Sequence, residues 1–327
     1  MDLLLDLEAP DRTHAQIVVE AKSKLDPRDV ETLLRHLARY ERTASAGKEA
    51  STGLVVAAPH LSRRTRELLA EADVGWYDST GNLHLQLERP ALYIERQGAD
   101  RNPYPPAGDR RLRSLRGPGA ARVIRALLDN ATPMGVRELA AAADVGAATS
   151  SRVLDLISRE GLIERDATGA VNAVRKRSLV QRWAEDYGLM TTNNPIPMLA
   201  PRGIDQTMRE LGTFSGSYSI TAEAALRAHL PDQTAAVAPT SLLTVYVDDV
   251  VSAQEHLKLR QVSRGSNVML VEPFDEVVYR GSRIQEGIRY VNPSQTVVDL
   301  LTGPGRSAEE GQQLIDILAS EEVEWTR

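Results

Sequence analysis

The residues best able to do chemistry stand near the start of the chain, where "IVVEAKSKLDPRDV" (Ile17–Val30) sets Glu20 and Lys22 two apart in an apolar run. Alternate residues of a strand share a face, so this carboxylate and this ammonium would point the same way. With a second acid nearby, such a pair raises the question of whether it cuts nucleic acid. Asp2 and Asp6 are the candidates for that acid. Folding the chain about residues 11–12 sets Asp2 opposite Ala21 and Asp6 opposite about Ile17; Asp2 is the better placed, and a bulge would favour Asp6 instead. Two other groupings invite a chemical reading. Asp248-Asp249 suggests a metal pair, but neighbours in a strand face opposite ways, so a turn is the plainer expectation. "TGPGR" (Thr302–Arg306) suggests a phosphate cradle, yet a glycine stop followed by "SAEE" is ordinary helix capping. The six histidines are scattered and there is no cysteine, so no zinc site or disulfide is expected.

The elements that would position Glu20 are legible. "DLLLDLE" alternates, with Leu3, Leu5 and Leu7 on one face and Asp2, Leu4, Asp6 and Glu8 on the other. "EAPDRTH" turns, and "AQIVVEAK" returns as a second strand. "LDPRDVETLLRHLARY" starts a helix with Asp26 as cap and Pro27 in its first turn, and Val30, Leu33, Leu34 and Leu37 as its apolar stripe. "TGLVVAAPHL", "SRRTRELLAEA" and "VGWYDSTGNLHLQL" read as strand, helix and strand, giving an α/β domain over residues 1–97.

This acid-bearing hairpin with Glu-x-Lys and a following helix resembles the PD-(D/E)XK restriction-endonuclease-like fold. In that family two carboxylates bind a divalent metal and the lysine helps orient or activate the attacking water. The resemblance thus implies Glu20 and Lys22 with Asp2, or alternatively Asp6, as the catalytic set, and Mg²⁺ held by Glu20 and that acid. The helix that precedes the hairpin in that family, often the source of a further acid, has no counterpart ahead of Asp2. The expectation is therefore a nuclease-like scaffold that does not cut, a regulator rather than an enzyme, needing no metal or cofactor.

Charge divides the chain unevenly. The net charge is −6, yet residues 101–182 hold 15 Lys/Arg against 8 Asp/Glu, while residues 183–327 hold 11 against 20. A basic segment between acidic flanks is the footprint of phosphate binding. Within it, "PYPPAGDRRLRSLRGPG" reads as a linker or basic arm. "AARVIRALLDNA" puts Val123, Ile124, Leu127 and Leu128 on one helical face, and "GVRELAAAADV" turns Val136, Leu139, Ala140 and Ala143 inward. Gly146 falls where the tight turn of a helix-turn-helix belongs. A third helix buries Val153, Leu156 and Ile157 and opens with Thr149, Ser150, Ser151 and Arg152. "GLIERDATGAVNAVRKR" gives a hairpin ending in Arg175-Lys176-Arg177.

This order resembles the winged helix-turn-helix domains of bacterial transcription regulators. It implies that the third helix enters a major groove of double-stranded DNA, with Thr149, Ser150, Ser151 and Arg152 near the bases. Arg175, Lys176 and Arg177 would take phosphates, as would Arg110, Arg111 and Arg113 of the arm.

In the last third, "RSLVQRWAEDYGLM" reads as a helix packing through Leu179, Trp183 and Tyr187, and "TTNNPIPM" marks a boundary. "YSITAEAALRAHL" reads as a helix with Ala222, Ala225 and Leu226 inward. "TSLLTVYVDDV", "NVMLVEP" and "EVVYRGSRIQEGIRYVNP" supply strands, and two helices close around Gly303–Arg306. The winged helix followed by these segments, and above all "V-x-P-x-Q-x-x-x-D-L…PGR" over Val291–Arg306, resembles the antitoxin family of abortive-infection type IV toxin–antitoxin systems. "VGWYDSTGNLHLQL" is similar to a segment of longer members with a nuclease-like domain.

Three domains are thus expected in a mixed α/β, α+β chain: residues 1–97 nuclease-like, 98–190 linker and winged helix, 191–327 an acidic antitoxin-type α/β domain. The resemblance implies a repressor of its own operon that counters a nucleotidyltransferase-like toxin without stable binding to it. A symmetric operator would call for a homodimer. No apolar run reaches membrane length and "MDLLLDLEAPD" lacks signal-peptide features, so a cytoplasmic protein is expected. The alternative is a Mg²⁺-dependent DNA nuclease targeted by its winged helix.

Overall fold

Alternation with period 2 and apolar stripes with period 3.6 succeed one another along the chain, and the computed structural model is accordingly mixed α/β. The structure describes residues 2–44, 51–100, 102–103, 112–230 and 241–326. The chain forms two compact units, Met1–Arg111 with Leu156–Gly161, and Leu112–Asp155 with Leu162–Arg327. No helix among the described residues is long and apolar enough to cross a membrane.

In the first unit, β1 (Leu3–Glu8) and β2 (His14–Ala21) form a hairpin, followed by α1 (Pro27–Ala44), β3 (Ser51–Ala58), α2 (Arg63–Glu71), β4 (Gly75–Asp78), β5 (Leu83–Leu87) and β6 (Leu92–Arg96). The six strands lie side by side in sequence order. β2 pairs with β3 and β3 with β4 in parallel, while the β1–β2, β4–β5 and β5–β6 pairs are antiparallel. Parallel neighbours cannot be joined by a tight turn, which is why α1 and α2 intervene there and nowhere else. Val30, Leu33 and Leu37 of α1 pack with Val56, Ala58, Leu61, Leu69 and Val74, as the apolar stripe requires. Ser62 caps α2 by accepting the Thr65 amide at 3.1 Å.

The hairpin register differs by one residue from the sequence expectation. Asp6 pairs with Gln16 and Leu3 with Val19. The cause is an asymmetric turn: the Ala9 amide donates to the Thr13 carbonyl, Arg12 adopts a left-handed φ of 65°, and Asp11 Oδ1 accepts the Thr13 amide.

The second unit begins with α3 (Pro118–Asp129), α4 (Val136–Ala143), α5 (Ala147–Arg159), the strands β7 (Ile163–Arg165) and β8 (Val171–Val174), and α6 (Lys176–Ala184). There follow α7 (Leu189–Thr192), β9 (Asn194–Leu199), α8 (Ile204–Leu211), β10 (Tyr218–Thr221), α9 (Ala222–His229), β11 (Leu243–Val247), α10 (Val250–Leu257), β12 (Arg260–Gln261) and β13 (Val268–Glu272). A 3₁₀ turn (Glu276–Tyr279), β14 (Arg283–Gln285), β15 (Ile288–Tyr290), α11 (Pro293–Leu301), α12 (Ser307–Glu321) and a last 3₁₀ turn (Val323–Thr326) complete it. Seven strands form one mixed sheet in the order β12-β9-β13-β11-β10-β15-β14. Its apolar core runs through Met198, Ile220, Val245, Tyr246 and Leu270.

Two expectations change here. "YSITAEAALRAHL" is not helical throughout, because Tyr218, Ser219, Ile220 and Thr221 are all buried, which suits a central strand and not an amphipathic helix. Where a boundary is expected near residue 190, residues on both sides, Leu162–Arg327 together with Leu112–Asp155, fall in one compact unit, while Leu156–Gly161 falls in the first.

Candidate nucleic-acid interface

Helices α4 and α5 occupy the positions at which a helix-turn-helix is expected. Leu139 and Ala143 of α4, Val153, Leu154 and Ile157 of α5, and Val123, Ile124 and Leu127 of α3 are each buried. The tight turn is made by a different residue from the one expected. Asp144, not Gly146, takes the left-handed conformation (φ 52°), a region that aspartate tolerates better than most residues. Its carboxylate receives Arg122 at 2.9 Å and Arg280 at 3.4 Å, so the turn is also held from outside.

Helical periodicity decides which residues of α5 face outward. Ala147, Ala148 and Arg152 are exposed, and Thr149 and Ser151 flank them half-buried. Arg152 Nε donates to the Ala148 carbonyl at 3.1 Å, laying the guanidinium along the start of the helix. Ser150 is a correction: it lies one turn from Val153 and Leu154 on the buried face, and its Oγ has no partner among the described residues. It is therefore out of reach of a base. The wing, β7 with β8, closes on Asp166, whose Oδ1 accepts the Thr168 amide at 2.8 Å and the Ala170 amide at 3.1 Å. The hydrogen bond from Thr168 holds the Asp166 carboxyl below its ordinary value, so the wing tip is anionic at neutral pH.

The basic run after the wing is largely turned inward. Arg175 is half-buried, 3.8 Å from Glu164. Lys176 is buried, and its ammonium is shared by Glu322 and, at 3.2 Å, Glu324. Arg177 binds Asp316 and donates to the Trp325 carbonyl at 3.2 Å. Lys176 and Arg177 are thus corrections as phosphate ligands, because their charges are already matched by acids of the last third. Arg113 is exposed; Arg110 and Arg111 lie outside the described residues.

The same pairing explains much of the uneven charge. Arg122 of α3 makes a two-pronged bond to Asp275, at 2.9 and 3.0 Å. Arg125, also on α3, is buried and donates to the Val277 carbonyl (3.1 Å), the Arg280 carbonyl (2.7 Å) and Gln295 Oε1 (2.9 Å), with Asp129 on its remaining side. Gln295 Nε2 in turn donates to Asp299 at 2.9 Å. Asp299 is buried and accepts from Tyr187 (2.7 Å), Tyr246 (3.0 Å) and Thr221 (2.6 Å) as well. Burial pushes its carboxyl up to about 6, against the pull of these donors. Helix α3 is in this way fastened to α11 and the sheet through a polar relay, and part of its positive charge serves that purpose.

Sequence reasoning missed this relay. Its signal was present: Gln295 and Asp299 stand four apart in "PSQTVVDLL", a helix whose other residues are small or apolar, and such a pair shares one face. Asp249 is a helix cap, accepting the Ser252 amide at 3.0 Å at the start of α10. The cap expected from "SAEE" does not form: Arg306 holds the N-cap position of α12 without a side-chain cap hydrogen bond, and Ser307 donates to the Pro304 carbonyl at 2.7 Å. Asp248 lines a cleft of about 770 Å³ with Arg122, Asn194, Glu272, Asp275 and Tyr279. Acids outnumber bases on that wall, which disfavours phosphate.

In the first unit, Glu20 and Lys22 do share a strand face and meet at 2.8 Å. Burial works to raise the Glu20 carboxyl, but hydrogen bonding and opposite charge, Lys22's among them, outweigh it and hold the group low. Asp2 Oδ2 accepts the Ala21 amide at 2.8 Å, and Asp6 accepts from Gln16 Nε2 at 2.8 Å, so each acid already has a protein donor. Asp6 lies four residues from Glu20 along the ladder, roughly 13 Å away, too far to share an ion. Among the described residues no three Asp, Glu or His side chains converge as a metal site requires. "WYDSTGN" has a structural explanation. Asp78 is buried and accepts from the Leu61, Thr80 and Asn82 amides and from the Thr80 and Asn82 side chains, which knits the turn between β4 and β5.

Set beside models of protein families, curated proteins and solved structures, the chain matches none of them.

Proposed function

We propose that this protein is a sequence-specific DNA-binding transcriptional regulator, an antitoxin-like autorepressor acting on the operator of its own toxin–antitoxin operon. The observation that carries the reading is the outward start of α5, where Ala147 and Ala148 leave room for a groove wall and Arg152 is exposed beside them, next to a two-stranded wing. Small residues at the start of a recognition helix allow close approach, and an arginine can bond a guanine edge in two places. Arg113 and Arg175 would track the backbone, with Thr149 and Ser151 at the margin of the contact.

The antitoxin role rests on the resemblance of Val291–Arg306 to that family. In this reading Gln295 and Asp299 of the motif act through structure, fixing α3 and hence α5 against the sheet, while a nucleotidyltransferase-like toxin is countered without a stable complex. The nuclease-like unit serves as a scaffold, since Asp2 and Glu20 are each engaged by protein donors. The protein would act in the cytoplasm.

The test is retardation of DNA from the gene's own upstream region. Arg152→Ala should weaken binding about 5–150-fold, the worth of one two-pronged base contact. An unshifted upstream fragment at low salt would remove the reading.

A further inference from the structure

Edge strands of soluble proteins are usually blunted by charge, proline or a bulge, because an unpaired backbone edge is a template for another strand. The two edges of the first unit's sheet differ in this respect. β6 carries Glu95 and Arg96 within its five residues. β1 has a strand partner on one side only among the described residues, runs in an unbroken six-residue register with β2, and contains neither proline nor lysine. Its first three residues are leucines, 51%, 39% and 44% exposed at Leu3, Leu4 and Leu5. The acids of β1 begin only at Asp6, and Asp6 is turned toward Gln16 of its own sheet.

These leucines have a symmetry of their own. Successive strand residues alternate faces, so Leu3 and Leu5 lie on one side of the sheet and Leu4 on the other. An antiparallel second copy of the strand, centred on Leu4, would set Leu3 against Leu5 of the partner, Leu4 against Leu4, and Leu5 against Leu3. Every exposed leucine then meets a leucine, on both faces. Leu7, which already packs into the unit's own core, is not needed. A pairing of β1 with β6 of another copy would be head-to-tail and would not close, whereas pairing about a two-fold through Leu4 does close.

We propose that β1 is a self-association edge, on which a second copy of this chain docks its own β1 antiparallel about Leu4, joining two six-stranded sheets into one of twelve. The contact is a single strand pair with six leucines, at the small end of specific interfaces, below about 1,200 Å² in total, so the dimer forms reversibly. The proposal does not depend on the DNA-binding reading.

The chain has no cysteine, so one introduced thiol reports on the contact directly. Opposed residues of an antiparallel pair have Cα atoms roughly 4.5–5.5 Å apart, within the range a disulfide spans, about 4.4–6.8 Å. Full-length Leu4→Cys treated with diamide, which accepts the two electrons, should give a covalent dimer. Glu8→Cys, whose position lies beyond the overlap, should give little. Sedimentation of the wild-type chain from roughly 1 to 200 μM should show concentration-dependent doubling of its 35.8 kDa mass. Leu4→Lys, at an exposed position, should abolish the doubling while keeping its circular dichroism and melting temperature. A wild-type monomer throughout this range overturns the proposal, as does equal cross-linking at both positions or an undiminished dimer in Leu4→Lys.

Discussion

Replacing Asp299 by asparagine should change how stability depends on pH more than it changes stability at any one pH. Asp299 is fully buried, and its carboxyl is raised from 3.8 to about 6 by that burial. The sign follows from proton binding. Below the unfolded-state value both states hold the proton, and the contribution to stability is fully present. Between the two values the folded chain keeps a proton that the unfolded chain has released, so stability falls as pH rises through about 6. Two units correspond to about 3 kcal/mol in all, and about 2 kcal/mol of this is lost between roughly pH 4.5 and 7.5. The lowered carboxyls of Asp78 and Asp186 act in the opposite direction, and they are common to both proteins. The difference between variant and wild type therefore isolates Asp299. Asparagine fits the same donors if its amide faces Thr221 and Tyr246, whose hydroxyls can turn to accept. Urea unfolding followed by the fluorescence of Trp183 and Trp325, both buried in the second unit, measures the effect. The variant should gain on wild type as pH rises, reaching parity or better near neutrality. Parallel curves, within about 0.5 kcal/mol over this range, would refute the reasoning.

Other substitutions separate anchoring from recognition. Arg125→Ala strands Gln295 and two carbonyls in the interior and should cost the second unit about 3–5 kcal/mol in urea unfolding. Lys176→Ala should lower stability while leaving DNA affinity, measured at a temperature where the variant is folded, within about threefold; a loss as large as that of Arg152→Ala would put Lys176 back at the phosphates. Asp78→Ala removes the acceptor for three amides and two side chains and should destabilise the first unit by about 3 kcal/mol or more, read from the unfolding of the chain followed at Trp76.

Much of the architecture was legible in the sequence, because period and burial agree wherever an element is amphipathic. The stripe Val30, Leu33, Leu37, the inward faces of α3 to α5, and the wing about Gly169 all follow from spacing alone. What could not be seen was long-range partnership. Lys176 and Arg177 read as a basic tail, and only the return of Asp316, Glu322 and Glu324, about 140 residues later, makes them internal. Ser150 read as a surface hydroxyl because a short polar side chain carries little burial signal. The i, i+4 spacing of a helix puts it on the buried face of Leu154. The hairpin slipped by one residue because Asp11 and Arg12 build a turn whose length the pattern of the strands does not reveal.

The most direct test of the central reading is the salt dependence of binding to a duplex from the gene's own upstream region, followed by fluorescence anisotropy. If α5 and its flanking arginines read a groove, affinity should exceed that for a scrambled duplex by about 10³-fold or more and fall log-linearly with salt. It should also drop about 5–150-fold in Arg152→Ala with the salt slope reduced by no more than about one. Equal affinity for the upstream and scrambled duplexes, or an Arg152→Ala protein that binds like wild type, would contradict it.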